Sequence, residues 1–310
     1  MLKSTNMESD IAEQQLAKTP PVPAQTTYSV IKNYYDVAGP DYEMWSRNFN
    51  MHFGYIKKFT DLFSLEKMLV NMNTEVLKRL QIQVHEEADV ADLGCGVGTV
   101  ARYAATHLPL ATITGVTISQ YQIAKANELT AKDHLEEQVK IVCSNFESLD
   151  FPNETFTHAY ALESACHANS HNKELLIAEM TRTLKKGGRF CIADGFLKPA
   201  VKRPKLFTYL YNRVTRFWAV PSFANIEEFT VLLKKYGLHD ITVKEISYQI
   251  APSVLYVPWT CIKFFANEIW KNRSLKMKKE RWENVYAPVL GMFLGLFRKH
   301  FGYYIISGRK

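Results

Sequence analysis

The stretch ADVADLGCGVGTVARYAATHL, residues 88–108, restricts the fold of this chain more than any other. A short apolar run at 88–93 enters the glycines Gly94, Gly96 and Gly98 and leaves them as a helix at 100–108. Glycine allows positive φ and lets the backbone come close to a ligand. The helix start that follows offers free N–H groups and a partial positive charge to an anion.

The same alternation continues downstream. ATITGVTI (111–118) alternates and is β-branched, so it reads as a strand, and SQYQIAKANELTAKDHL (119–135) as a helix. QVKIVCSN (138–145), FTHAYALES (156–164) and GGRFCIADGF (187–196) read as three more strands, with a helix at 173–186. Strands alternating with helices predict an α/β fold, a Rossmann-like parallel sheet covered on both faces. The predicted organisation is a disordered tail at 1–27, an N-terminal helical cap at 28–81 and a core at 82–310. Within that core, 197–235 reads as mostly helical, 239–250 as a strand, 251–300 as a helical insertion and FGYYIISGRK as a last strand.

Composition narrows the class. The chain has 310 residues, 47% hydrophobic and 22% charged, as expected of a folded domain. Residues 1–27 lack a basic segment followed by an apolar one, so no secretory signal is expected. No long uninterrupted apolar run suggests a spanning helix. The five cysteines are scattered without a CxxC pair, so neither a metal site nor a disulfide framework is expected. Reduced thiols point to the cytoplasm. The net charge of +7 is concentrated from residue 263 onward, where eleven Lys or Arg face three Glu.

The glycine loop is spaced G-x-G-x-G, not G-x-G-x-x-G, and Asp92 stands directly before it. An acid there would repel a pyrophosphate and suits a cationic amine, which disfavours a nicotinamide dinucleotide. S-adenosylmethionine carries a carboxylate, an ammonium and a sulfonium, and fits both features. At the second strand end, Thr117 with Gln122 suits ribose hydroxyls. At the third, Asn145 offers a hydrogen-bonding edge for an adenine and Phe146 a face to stack on it.

These motifs resemble those of the class I S-adenosylmethionine-dependent methyltransferases. The likeness is to the small-molecule branch holding sterol methyltransferases, tocopherol methyltransferases and mycolic acid cyclopropane synthases. DLGCGVG resembles that family's first motif, and GVTISQYQ its second, with Thr in place of the commoner acid. LKKGGRFCIADGF resembles its LKPGG turn and following strand, with Lys186 replacing Pro. WSRNFNMHFGY (45–55) is similar to the segment before the core in tocopherol-type enzymes. The resemblance implies that Asp92, Gly94 and Gly96 hold the methionine part of the cofactor. It also implies that Thr117 and Gln122 hold the ribose, and Asn145 and Phe146 the adenine.

In such a sheet the fourth strand ends beside the sulfonium, and here it reads ESACHANSH. Glu163 and His167 would share a helical face if the chain turns helical there, with His167 as a base and Glu163 orienting it or stabilising a cation. Alternatively both only hold the loop. Cys166 reads as a small buried side chain and His171 as a helix-start or surface residue. Tyr34, Tyr42, Trp45, His52 and Tyr55 are expected on the closing face of the N-terminal segment, or in its core. Aromatic segments after 197 suggest a bulky hydrophobic acceptor. C-methylation of a sterol, isoprenoid or quinone-like compound leads; N- or O-methylation of a specialised metabolite, a prenyl diphosphate acceptor, and a non-catalytic membrane-associated protein are the alternatives. The basic C-terminal region suits an anionic membrane surface, a diphosphate or plain solvation; nucleic acid is not an expected partner.

Overall fold

The computed structural model describes residues 28–200 and 202–310; the predicted 1–27 tail lies outside them. Helix α1 (Tyr28–Ala38) runs into a 3₁₀ segment (Gly39–Met44), and α2 (Leu65–Leu80) follows. Then come β1 (Ala88–Leu93), α3 (Thr99–His107), β2 (Ala111–Thr117), α4 (Gln120–Lys132), β3 (Val139–Cys143) and β4 (Phe156–Leu162). Helix α5 (Glu174–Thr183) leads to β5 (Leu184–Leu197), then α6 (Lys205–Phe217), α7 (Ile226–Lys235) and β6 (His239–Glu245). Helices α8 (Ser247–Val254), α9 (Val257–Asn272) and α10 (Lys279–Gly295) precede the last strand, β7 (Phe301–Arg309).

The strands form one sheet in the order β3-β2-β1-β4-β5-β7-β6. The first five are parallel, as the alternation predicts. β7 is antiparallel to both β5 and β6, so the sheet is mixed. Successive residues of β5 face opposite ways: Phe190 and Ile192 join one apolar layer, Cys191 and Ala193 the other. Helices α5 and α7 close the first layer through Ile177, Met180, Phe229 and Leu233. Helices α2 and α3 close the second through Met72, Val76, Leu80 and Ala104. Each fully buried Leu, Met or Val here contributes about 1.5–3 kcal/mol.

Helix α2 shows why the N-terminal region is helical. Ser64 caps it by accepting the Lys67 N–H, Glu66 sits in its first turn, and Lys78 and Arg79 sit in its last. Its buried residues Leu65, Met68, Leu69, Met72, Val76 and Leu80 recur every three or four positions. The helix therefore shares the core of the sheet.

Two elements differ from the sequence reading. The helix predicted at 173–186 stops at Thr183, and Leu184 already pairs with Phe156 in the sheet. The chain end draws this segment into the ladder, because Gly187 N–H donates to Lys310 O at 2.7 Å and Lys310 N–H to Gly188 O at 2.9 Å. The strand predicted at 239–250 ends at Glu245. Just beyond it, the Ser247 hydroxyl takes the Tyr303 N–H at 2.8 Å, a bond the ladder would otherwise make, and α8 begins.

One buried charge cluster ties the N-terminal segment to the insertion. Arg281 of α10 bonds Asp41 at 2.7 Å and Glu268 of α9 at 2.7 Å, and both acids are buried. Removing the guanidinium leaves two buried carboxylates unpaired. Arg281→Ala should cost about 3–5 kcal/mol in urea unfolding. Lys279→Ala, which removes an exposed side chain 3.6 Å from Glu283, should stay within about 0.5 kcal/mol of the parent.

Candidate active site

The sheet order reverses between β1 and β4, and the loops leaving these two strands diverge to open a crevice at their carboxyl ends. Gly94, Gly96 and Gly98 all take positive φ, at 87°, 55° and 71°. The N–H groups of Gly94 and Cys95 both donate to Val116 O at 2.9 Å, which pins the loop to the end of β2. A Cβ on Gly94 would lie 2.4 Å from the Cβ of Ser164, so the loop after β4 rests directly on this turn.

Asp92, Gly94, Gly96, Thr117, Gln122, Asn145 and Phe146 all line this one crevice. Asp92 is 3% exposed and accepts from the Tyr160 hydroxyl at 2.7 Å. Burial without a facing cation pushes its carboxyl up to about 7. Thr117 donates its hydroxyl to Gln122 Oε1 at 2.6 Å, so the two side chains form one polar edge. Asn145 Oδ1 accepts the Glu147 N–H at 2.9 Å, which fixes that side chain beside Phe146. A buried acid short of a cation, a bare glycine turn, a paired hydroxyl and amide, and an aromatic wall fit an ammonium, a ribose and a base. These are the parts of S-adenosylmethionine.

At the end of β4 the chain does not turn into an α-helix. Glu163 takes φ 50°, a left-handed conformation that few non-glycine residues adopt, and a short 3₁₀ turn, Ala165–His167, follows directly. The two side chains therefore take separate partners instead of sharing a helical face. Glu163 Oε1 accepts from Phe53 N–H at 2.7 Å and from the Tyr303 hydroxyl at 2.8 Å. Glu163 lines both cavities, and burial together with the nearby Asp194 charge raises its carboxyl to about 8.

His167 sits with Nδ1 3.3 Å from Ala219 O and Nε2 2.8 Å from the Tyr35 hydroxyl. A carbonyl can only accept, so Nδ1 carries the hydrogen and Nε2 accepts from Tyr35. Burial lowers its pKa to about 4, so it is neutral near pH 7. Cys166 is buried with its thiol pushed well up, and so remains protonated. His171 is exposed at the helix start. Inside the loop, buried Lys173 donates to Cys166 O at 2.9 Å and Ala168 O at 2.7 Å, a strut that fixes its shape.

The N-terminal segment crosses this region. Trp45, His52 and Tyr42 line a second, larger cavity, with Trp45 Nε1–H donating to His52 O at 3.1 Å. Tyr34 and Tyr55 do not face either cavity. Tyr34 donates to Asn284 of α10 at 2.7 Å, and Tyr55 packs in the core against α2. Tyr35, one residue away and a third of a helical turn round, faces both cavities in Tyr34's place. Met51, Phe53 and Asp194 also face the site without having been singled out. Asp194 had a readable signal, an acid at the carboxyl end of a parallel strand.

The second cavity has a volume of about 520 Å³. Its walls are mainly apolar and include Trp45, Phe53, Trp218, Phe223 and Val285. Tyr35, Met51, His52, Glu163 and His167 line both cavities, so the crevice and the larger chamber meet at these residues.

The raised acids have a signed consequence for stability. Glu163 holds its proton to about 8 when folded and to its ordinary 4.5 when unfolded. The folded state therefore binds more protons between those values, and its stability falls as pH rises through that window. Asp92, at about 7, acts in the same direction. In urea unfolding of the ligand-free protein, Glu163→Gln should gain on the parent between pH 5 and about pH 8. A difference that stays constant across that range would mean that Glu163 ionises freely in the fold.

Residues 91–192 match a family described as methyltransferase domain. The chain is 28% identical to 24-methylenesterol C-methyltransferase 2 of Oryza sativa subsp. japonica over 58% of its own length and 48% of that protein. It is 32% identical to sterol methyltransferase-like 3 of Botryococcus braunii over 56% of its length and 42% of that protein. The chain thus spans about half the length of these curated relatives. Its fold is similar to that of a geranyl diphosphate C-methyltransferase from Streptomyces coelicolor A3(2), with a TM-score of 0.67 and 16% identity. That likeness covers 94% of this chain and 99% of the other. Crevice, glycine turn and family match agree: residues 91–192 form a methyltransferase domain, similar in sequence to sterol methyltransferases.

Proposed function

We propose that this protein methylates a hydrophobic, uncharged small molecule, by C-methylation of a sterol, isoprenoid or quinone-like acceptor. The observation that carries this reading is the junction of the two cavities at Tyr35, Glu163 and His167. Bound in the crevice, S-adenosylmethionine supplies an electrophilic methyl group on a sulfonium. Asp92 would meet its ammonium, Thr117 and Gln122 its ribose, and Asn145 and Phe146 its adenine.

The larger cavity would hold the acceptor, and its chemistry selects the class. Its acidic lining groups are Asp41, paired with Arg281; Glu163, which keeps its proton to about 8; and Asp194. Its one Lys or Arg is Arg298, already paired with Glu245 at 2.6 Å. A lining whose one Lys or Arg is already paired offers a diphosphate no free cation and suits an acceptor that is neutral or becomes positive during reaction. Relatives named as sterol C-methyltransferases support the same class. The acidic lining also suits a hydrophobic amine, so N-methylation is the second reading. A cytoplasmic location at the face of a membrane belongs to the same proposal and is supported by the cationic C-terminal region.

If a proton must leave the acceptor, Glu163 is the better base. Its pKa of about 8 lies near working pH, whereas His167, at about 4, gives its Nε2 lone pair to Tyr35. His167 then holds the Tyr35 hydroxyl in place.

The test is transfer of a deuterated methyl group from S-adenosylmethionine to pooled sterols, prenyl diphosphates, quinols and alkaloid amines, read by mass spectrometry. Label on a neutral isoprenoid or quinol supports the proposal; label only on a diphosphate defeats its acceptor class, and label on an amine selects the second reading. By calorimetry, Asp92→Ala should weaken cofactor affinity about tenfold to a hundredfold, as loss of a charge-assisted hydrogen bond would. Glu163→Gln should lower kcat on the order of a hundredfold with cofactor affinity little changed. If Glu163→Gln and His167→Ala both keep full turnover, these residues only shape the loop.

A further inference from the structure

The outer face of α9 is apolar. Trp259, Ile262, Ala266, Ile269 and Trp270 recur at helical spacing there, and all are exposed, Trp270 to 76%. Val257, Phe264 and Glu268 are the buried positions of the same helix. The turn bearing Phe59 and Phe63, each more than three-quarters exposed, adjoins the start of α9 because Tyr256 donates its hydroxyl to Leu62 O at 2.6 Å. Tyr248, Leu255, Phe293 and Leu296 are exposed as well, and these four also line the larger cavity. The exposed apolar surface is therefore continuous with the rim of the acceptor chamber.

Cations fringe this surface: Lys58, Lys263, Lys271, Arg273, Lys276 and Lys278 are exposed. The acids of α9 and α10 all have partners. Glu268 pairs with Arg281, Glu283 lies beside Arg216 and Lys279, and Glu280 accepts from Asn33. Apolar and tryptophan side chains ringed by lysines match the interface of a bilayer carrying negative headgroups. No described helix is long and apolar enough to cross one, so such contact would be peripheral.

We propose that the α9 face and the Phe59–Phe63 turn seat on an anionic lipid bilayer, with the mouth of the larger cavity against the lipid. This rests on the hydrophobic-acceptor reading: an acceptor dissolved in lipid would enter the chamber without crossing water.

The test is sedimentation of the full chain with vesicles of phosphatidylcholine alone or mixed with phosphatidylserine, with tryptophan emission read in parallel. The parent should bind the mixed vesicles, shift its emission to the blue and release as salt rises. The double variant Trp259→Glu, Ile262→Glu should bind on the order of tenfold more weakly or worse. Lys271→Glu with Arg273→Glu should lose the preference for phosphatidylserine. Unchanged unfolding midpoints and S-adenosylhomocysteine affinity establish that the variants fold. A folded parent that binds neither vesicle overturns the proposal, as does a Trp259→Glu, Ile262→Glu variant that binds as well as the parent. Self-association abolished by that variant, in place of vesicle binding, would assign the face to a second copy of the chain. Vesicle binding is read without methyl transfer. A protein that binds vesicles but methylates nothing sinks the function reading alone, and one that methylates a soluble hydrophobic acceptor but ignores vesicles sinks this one alone.

Discussion

The carboxyl of Glu163 joins three parts of the chain that are far apart in sequence. One of its oxygens accepts both the Phe53 N–H and the Tyr303 hydroxyl, while its own N–H donates to Ala193 O at 2.8 Å. The covering N-terminal segment, strands β4 and β5, and the last strand β7 are thus fixed around one acid. That acid stands where the crevice meets the larger chamber. Its left-handed backbone and its burial both cost free energy, and the surrounding bonds hold it there. Two roles follow from one geometry: the acid closes the cover over the site, and it faces the place where reaction would occur.

The electrostatics of the chamber point the same way. Glu163, Asp92 and Asp194 are raised to about 8, 7 and 6, each mainly by burial. Groups held this far from their ordinary range concentrate at functional sites, because a packed core gains nothing from them. The crevice acid lacks a cation that a ligand's ammonium would supply. The chamber acids sit among aromatic walls, where a positive centre would be stabilised by both carboxylate and ring faces.

How much of this could be read from the sequence depended on how local each signal was. The glycine turn, the five parallel strands and the crevice lining follow from short-range periodicity and strand ends, and the residues singled out there do lie together. Tyr34 and Tyr35 could not be told apart that way. Which of two adjacent aromatics faces the chamber is decided by Asn284, on a helix 250 positions later. The i, i+4 spacing of Glu163 and His167 suggested a helical pair, but the positive φ at Glu163 breaks the helix before it starts. The antiparallel insertion of β7 is long-range pairing with β5 and β6, and no local pattern encodes it.

The central claim is that the cofactor crevice and the acceptor chamber open onto each other beside Glu163. It is tested most directly by a crystal structure of the protein with S-adenosylhomocysteine and a neutral polycyclic isoprenoid. The account predicts the cofactor's sulfur at the Tyr35–Glu163–His167 junction and the isoprenoid in the chamber walled by Trp45, Phe53 and Trp218. A cofactor sulfur walled off from that chamber, or an isoprenoid bound elsewhere on the protein, would contradict it.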